Sequence, residues 1–296
     1  MAQFDEFLKF VRRDVPLAMH TRLQIGGPAE FFAEPTSTAE LVALLKQSRL
    51  ENIPVRMLGS GSNILVPEDG ISGVVLSLAA PVFCEVEIEN RKVLAGAGTK
   101  LGRVITQAVS QGLSGIEGLI GIPGTIGGAL CGNAGTNNGD LGEWVANVTV
   151  VDPDGNLSVL TKTEISFGFR SSSLDDSVIV STTLELEPDD PTELARRMQK
   201  LWIVRKAQQP SGELASACAF KNPRSGAPAE ELIEKAGLKG ARIGGAMISE
   251  RSANFIVLEP EGTFDDVVRL LDLVSEQVEK RTEIELEPAI EIWQNS

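Results

Sequence analysis

Residues 121–135 read Gly121-Ile122-Pro123-Gly124-Thr125-Ile126-Gly127-Gly128-Ala129-Leu130-Cys131-Gly132-Asn133-Ala134-Gly135, and no charge interrupts Leu119 to Ala134. The segment is too apolar for a solvated linker and too rich in glycine to keep a helical period. Small residues at this density let a large flat ligand lie against backbone, whose N–H and C=O groups then recognise its polar edge. A crowded helix–sheet contact also demands glycine, and for this string taken singly it is the favoured explanation. A second string, Gly59-Ser60-Gly61-Ser62-Asn63, follows the short apolar stretch Ile53 to Leu58. Its glycines can turn amides toward an anion and its serines add hydroxyl donors, as a pyrophosphate requires. Position 64 is isoleucine, so the G-x-G-x-x-G spacing of a Rossmann site is missing.

Around these strings the chain alternates helix and strand. Ser37 and Glu40 form a capping-box pattern ahead of Leu41, Leu44 and Leu45, which predicts a helix to about Arg49. Val74-Val75-Leu76 resumes strand character. Alternation from Val82 to Ala95 predicts a hairpin closed at Glu89-Asn90, and a helix follows from about Lys100 to Gln111. Strands are expected at Val145 to Val151, Leu157 to Leu160 and Val178 to Leu186, the first two joined by the turn Asp152-Pro153-Asp154-Gly155. Glu187-Pro188-Asp189-Asp190-Pro191 favours an exposed connection, and a domain boundary is expected there. Beyond it lie a basic helix from about Thr192 to Lys206 and a helix from Glu230 to Ala236 stopped by Gly237. A last long helix opens at Thr263, with the stripe Val267, Leu270, Leu271, Val274 and Val278.

The 296 residues, 42% of them apolar, can bury more than one core. A formal charge of −14, from 41 acids against 27 bases, opposes binding to nucleic acid or anionic lipid. No apolar run approaches the ~20 residues of a membrane span, and the charged opening MAQFDEFLKFVRRDVP is unlike a signal peptide. A cytoplasmic protein, expected to be monomeric, fits these features. His20 is the only histidine, and Cys84, Cys131 and Cys218 are widely spaced, so no metal site is expected and a Ser-His-Asp triad has little to build on.

Taken together, the strings make the chain similar to the UDP-N-acetylenolpyruvoylglucosamine reductase (MurB) family. His20-Thr21-Arg22-Leu23-Gln24-Ile25-Gly26-Gly27-Pro28-Ala29, Leu58 to Leu65 and Gly121 to Asn133 carry the likeness first. It continues through Phe167-Gly168-Phe169-Arg170, Phe220-Lys221-Asn222-Pro223 and Ala236-Gly237-Leu238-Lys239-Gly240. Arg242-Ile243-Gly244-Gly245-Ala246, Ser252-Ala253-Asn254-Phe255-Ile256-Val257 and Leu286-Glu287-Pro288 close it. The resemblance covers nearly the whole chain in order. It implies an α+β fold: two FAD-binding subdomains of the MurB or vanillyl-alcohol-oxidase-like type, over 1–80 and 81–190, plus a C-terminal α+β substrate domain over 191–296. It further implies that NADPH reduces noncovalently held FAD, which then passes hydride to the enolpyruvyl ether of a UDP-sugar, a step in peptidoglycan precursor synthesis.

By the same resemblance, Gly59, Ser60, Gly61, Ser62, Asn63, Ile122, Pro123, Gly124, Thr125, Gly127, Gly128, Ala129 and Asn133 are the candidate cofactor contacts. Arg170 aligns with the family's catalytic arginine, although Phe169 stands where a tyrosine is usual. Cys218 occupies the place of the family's proton-donating serine. A thiol, with an ordinary pKa of ~8.5, is a far stronger acid than an alcohol and suits that role; the other reading is a small buried filler. After Leu286-Glu287-Pro288 the family has a glutamate and, two positions on, an arginine, where this chain has Ala289 and Glu291. Strand alternation puts Glu287 and Glu291 on the face of Ala289, so either is a candidate replacement, and ordinary exposed acids are the alternative. Gln208 replaces a substrate-contacting lysine. Lys221, Asn222, Arg242 and Asn254 are candidate substrate contacts, with an ion pair the alternative for Arg242. Two other functions remain on this scaffold: a flavoprotein paralogue with another substrate, and a noncatalytic nucleotide-sugar-binding protein.

Overall fold

A computed structural model describes residues 7, 9–136, 139–210, 215–224 and 226–295. By Cα proximity the chain forms two units. The first gathers Met1–Val15, Ala29–Ser60 and Ser72–Ile203; the second gathers Pro16–Pro28, Gly61–Ile71 and Val204–Ser296. The chain is thus cut differently from the contiguous segments expected from sequence. Two loops, one carrying Thr21 to Gly27 and one opening at Gly61, belong with the C-terminal residues. The later cut falls between Ile203 and Val204, inside a helix, and not at 187–191. The expected linker is itself paired: Glu187 and Pro188 lie antiparallel to Leu113–Ser114. Arg197 then bonds both Glu117 and Asp189, which ties the following helix to the first unit.

Among the described residues six α-helices run in chain order as α1 (Thr38–Leu50), α2 (Leu101–Ser110), α3 (Ile126–Cys131), α4 (Pro191–Gln208), α5 (Ala229–Lys235) and α6 (Phe264–Thr282). Ser37 caps α1 as its spacing predicts, accepting the Glu40 N–H at 3.2 Å. The Glu40 carboxylate reaches past Ser37 to the Thr36 N–H at 2.7 Å, so the box closes one residue early.

In the first unit a sheet has the strand order Val11–Pro16, Pro28–Ala33, Ile71–Leu76, Val55–Met57, the last two parallel. Beside it in the chain is a five-stranded antiparallel sheet in the order Leu157–Thr161, Val145–Val151, Val178–Glu185, Lys92–Gly96, Val86–Glu89. The hairpin of its last two strands turns at Asn90-Arg91, one residue later than expected, because Asn90 takes the left-handed backbone (φ 55°) that such a turn needs. Buried Leu41, Leu44, Val104, Ile105, Val148 and Leu184 belong to the core of this unit.

The second unit has an antiparallel sheet in the order Ala215–Cys218, Phe255–Leu258, Ala246–Ile248, Arg242–Ile243. The α6 stripe Val267, Leu270, Leu271, Val274 and Val278 is fully or almost fully buried in the same core as α5 and this sheet. At roughly 1.5–3 kcal/mol for each large aliphatic side chain, that stripe outweighs any single polar contact in the unit. Thr263 and Asp266 make a capping box at the start of α6. The terminal strand Glu291–Ile292 runs parallel to Ile64–Leu65. No helix among the described residues is long and apolar enough to cross a membrane.

Candidate active site

The two glycine-rich strings meet. A Cβ built on Gly59 would stand 2.8 Å from Thr125 Oγ1, closer than real Cβ contacts come. Thr125 is the N-cap of α3, and its hydroxyl accepts the Gly128 N–H at 3.4 Å. The string around it is stitched to the end of the strand Lys92–Gly96: Ile126 N–H donates to Thr99 O and Gly127 N–H to Ala97 O, each at 2.8 Å. Leu101 N–H returns to Gly124 O at 3.0 Å. The N–H groups of Gly59, Ser60, Gly124 and Thr125 donate to no acceptor among the described residues. Such amides are what the polar groups of a nucleotide cofactor require.

The glycines of α3 separate the two explanations considered from sequence. A Cβ on Gly127 would lie 3.3 Å from Ala97 Cβ, so tight helix–strand packing accounts for that glycine. One on Gly128 would meet nothing nearer than Thr125 Oγ1 at 3.7 Å, an ordinary contact. Packing therefore leaves Gly128 unexplained, and open space beside it suits a flat ligand. Ala129 is buried in the core, Ile122 is half-buried and Pro123 is exposed.

Arg170 is exposed in the two-residue turn joining Phe167–Gly168 to Ser171–Ser172, with left-handed backbone (φ 57°) and its guanidinium 5.8 Å from the Phe169 ring centre. Asn133 lies behind that turn. Its Nδ2 donates to Gly168 O at 2.9 Å and its Oδ1 accepts Gly142 N–H at 3.0 Å. The side chain expected at the cofactor is thus held at both ends by backbone. Gly142, which the sequence reading did not single out, is marked by this contact and by the Phe167 ring, 2.5 Å from where its Cβ would stand.

In the second unit Gly61 packs against the Thr21 to Gly27 loop, where a Cβ would come 1.9 Å from His20 O; Arg22 N–H donates to Gly61 O at 2.8 Å. Asn63 Nδ2 donates to Ala289 O at 2.6 Å, and Glu291 N–H to Asn63 O at 2.9 Å. Its side chain therefore holds the terminal strand. Ser62 is half-buried in the same loop.

Cys218 ends the strand Ala215–Cys218 and is half-buried. Its thiol donates to Phe220 O at 3.6 Å and accepts from Asn254 Nδ2 at 3.6 Å. Asn254, almost buried, also receives the Phe220 N–H at 2.9 Å and donates to Phe220 O at 2.8 Å. Asn254, expected from sequence as a substrate contact, thus clamps the segment that carries Cys218. Asn222 is likewise engaged, its Oδ1 accepting the Ala229 N–H at the start of α5 at 3.0 Å.

Glu287 and Glu291, the two candidate acids around position 289, both have partners. Ala289 N–H bonds Ala219 O at 2.8 Å, which brings the C-terminal segment alongside Cys218 in the chain. Glu287 is paired with Lys221, and Glu291 Oε1 accepts the Trp293 indole N–H at 2.9 Å. Arg242 is paired with Glu259 and bonds Gly244 O at 2.9 Å, so its ion-pair alternative is the one observed. Among the described residues no cluster of His, Cys, Asp and Glu could hold a metal ion.

Residues 29–161 match the family described as FAD binding domain, and residues 209–293 match the C-terminal domain of UDP-N-acetylenolpyruvoylglucosamine reductase. A protein of that name from Rhodopirellula baltica is 39% identical over 289 residues, covering 98% of this chain and 94% of its own. One from Moorella thermoacetica is 42% identical, covering 94% and 91%. The crystal structure of the reductase (MurB) from Thermus caldophilus superposes with a TM-score of 0.82 at 37% identity, covering 96% of this chain and all of the other. A Phl p 4 variant described as a glucose dehydrogenase shares the fold alone, with a TM-score of 0.53 at 15% identity, over 94% of this chain and 58% of its own. The free amides and the opening at Gly128 fit the cofactor that the matched domain is named for. The chain belongs to the UDP-N-acetylenolpyruvoylglucosamine reductase (MurB) family.

Proposed function

We propose that this protein is an FAD-dependent reductase that uses NADPH to reduce the enolpyruvyl ether of UDP-N-acetylglucosamine to its lactyl ether, a cytoplasmic step in peptidoglycan precursor synthesis carried out by a monomer. The observation that carries the reading is the likeness, at 39% identity over 98% of the chain, to a protein named for that reaction. When bound, FAD supplies the redox chemistry, taking a hydride equivalent from NADPH and passing it to the enolpyruvyl double bond.

The chain supplies binding, charge and a proton. Unpaired amides at Gly59, Ser60, Gly124 and Thr125 receive polar groups of the cofactor, and the space at Gly128 admits its flat ring. Hydride addition leaves negative charge shared between carbon and the adjoining carboxylate. The Arg170 guanidinium stabilises it. Cys218 then gives its proton to the neighbouring carbon, and the amide of Asn254 steadies the sulfur that remains. Lys221 takes an anionic group of the sugar nucleotide once that group displaces Glu287.

Purified holoprotein mixed with NADPH and UDP-N-acetylglucosamine enolpyruvate is expected to consume NADPH and yield the lactyl ether. Absence of sugar-dependent NADPH oxidation, with flavin bound and reducible, would overturn the proposal in favour of another acceptor.

A further inference from the structure

The ribbon that presents Arg170 has little to hold it by itself. Its paired positions are Phe167 with Ser172 and Gly168 with Ser171, and isolated two-stranded ribbons are marginal in water. Arg170 also sits in left-handed backbone, which costs a non-glycine residue of its kind about 1 kcal/mol or more. Something outside the ribbon must fix it if the guanidinium is to act from one place.

Asn133 is placed to do so. It is 3% exposed, it closes the glycine-rich segment at the end of α3, and its backbone is left-handed too, at φ 38°. Its N–H bonds Leu130 O at 3.2 Å, its Nδ2 bonds Gly168 O, and its Oδ1 takes the Gly142 N–H. The third segment is keyed to the ribbon a second time, because the Phe167 ring fills the space where a Gly142 side chain would start: a Cβ there would lie 2.5 Å from Phe167 Cγ. One buried amide thus joins the cofactor-facing helix, the turn at Gly142 and the turn that carries Arg170. The pattern needs a donor at one end and an acceptor at the other. Aspartate would face the Gly168 carbonyl with a second acceptor, and alanine would leave both backbone groups unpaired.

We infer that Asn133 is a positioning residue, which sets where Arg170 stands relative to the glycine-rich segment and makes no contact of its own with cofactor or substrate. The catalytic half of this inference rests on the role proposed above for Arg170; the mechanical half does not.

Two measurements on the full-length holoprotein separate them. In single-turnover experiments, Asn133→Ala is expected to keep its flavin and to be reduced by NADPH within about two-fold of the wild-type rate. Its reoxidation by UDP-N-acetylglucosamine enolpyruvate should slow ten-fold or more, and adding Asn133→Ala to Arg170→Ala should slow Arg170→Ala no further. In limited trypsin digestion, cleavage after Arg170 should quicken five-fold or more in Asn133→Ala. Phe167→Ala, which loosens the same ribbon and leaves Asn133 intact, should show the same split if Asn133→Ala does not fold. Loss of flavin, equal slowing of both half-reactions, multiplying rather than shared effects with Arg170→Ala, or unchanged cleavage at Arg170 would each overturn the inference. Unimpaired reoxidation in Arg170→Ala, with quickened cleavage in Asn133→Ala, would instead sink the proposed role of Arg170 and leave the clamp standing.

Discussion

Asn254 Nδ2 stands 3.6 Å from Cys218 Sγ while the same amide brackets both backbone groups of Phe220. The sulfur proposed as the proton donor is thus held through the residue two positions on. Its S–H points at the Phe220 carbonyl, and an N–H donor is ready to face the sulfur once the proton has left.

Cys218→Ala is expected to lower steady-state turnover by about 10²–10⁴, the usual worth of a placed general acid, with flavin reduction by NADPH unaffected. Cys218→Ser should keep a measurable part of that turnover. Equal loss in both variants would mean that the position is needed for packing and gives up no proton.

Asn254→Ala removes a clamp of two backbone hydrogen bonds in a buried place. Denaturant unfolding should show a loss of about 1–3 kcal/mol, the cost of leaving such groups unpaired. A loss within error would show that Phe220 finds other partners.

Gly128→Ala distinguishes a cofactor surface from a packed helix. Alanine should stabilise the flavin-free protein by up to about 1 kcal/mol, because the helix prefers it and no atom obstructs the new Cβ. The flavin absorbance retained through purification should fall at the same time. Gly59→Ala should also lose flavin, here because the methyl group would displace Thr125 Oγ1 from its cap. Full flavin content in both variants would remove the glycine strings from the cofactor site.

Glu287 is highly exposed and tied to Lys221. As an exposed pair it contributes only about 0–1 kcal/mol to stability, so its importance is that it masks a cation. Glu287→Gln should leave kcat in place and lower KM for the sugar nucleotide, whereas Lys221→Ala should raise KM. A drop in kcat for Glu287→Gln would make Glu287 the acid that the chain lacks at position 289.

Asp266 carries a pH signature. Its N–H donors, from Gly245 first and then Thr263, hold its carboxyl below the usual carboxylate range despite an opposing effect of burial. A carboxyl with a lowered folded pKa stabilises the fold above its unfolded value, and that contribution disappears as pH falls through the folded value. The melting temperature of the wild type should therefore fall on acidification below about pH 4 more steeply than that of Asp266→Asn. Parallel curves would show that the cap at the start of α6 does not feel the charge.

The ordering of motifs along the chain was enough to establish the family, and the stripe on α6, the cap at Ser37 and the chief helices and strands were legible from spacing alone. These are local properties: an apolar period, a cap and a glycine string carry their meaning in consecutive residues. Side-chain allegiance is not local. Asn63, Asn133, Asn222 and Asn254 all read as ligand contacts, and the fold engages every one of them with backbone: Ala289, Gly168 and Gly142, Ala229, and Phe220. An asparagine amide has the same donor and acceptor for a ligand as for a peptide group, so only the arrival of distant segments decides which it meets. The same holds for Lys221, Glu287, Arg242 and Glu291, whose charges are read from sequence and whose partners come from tertiary packing.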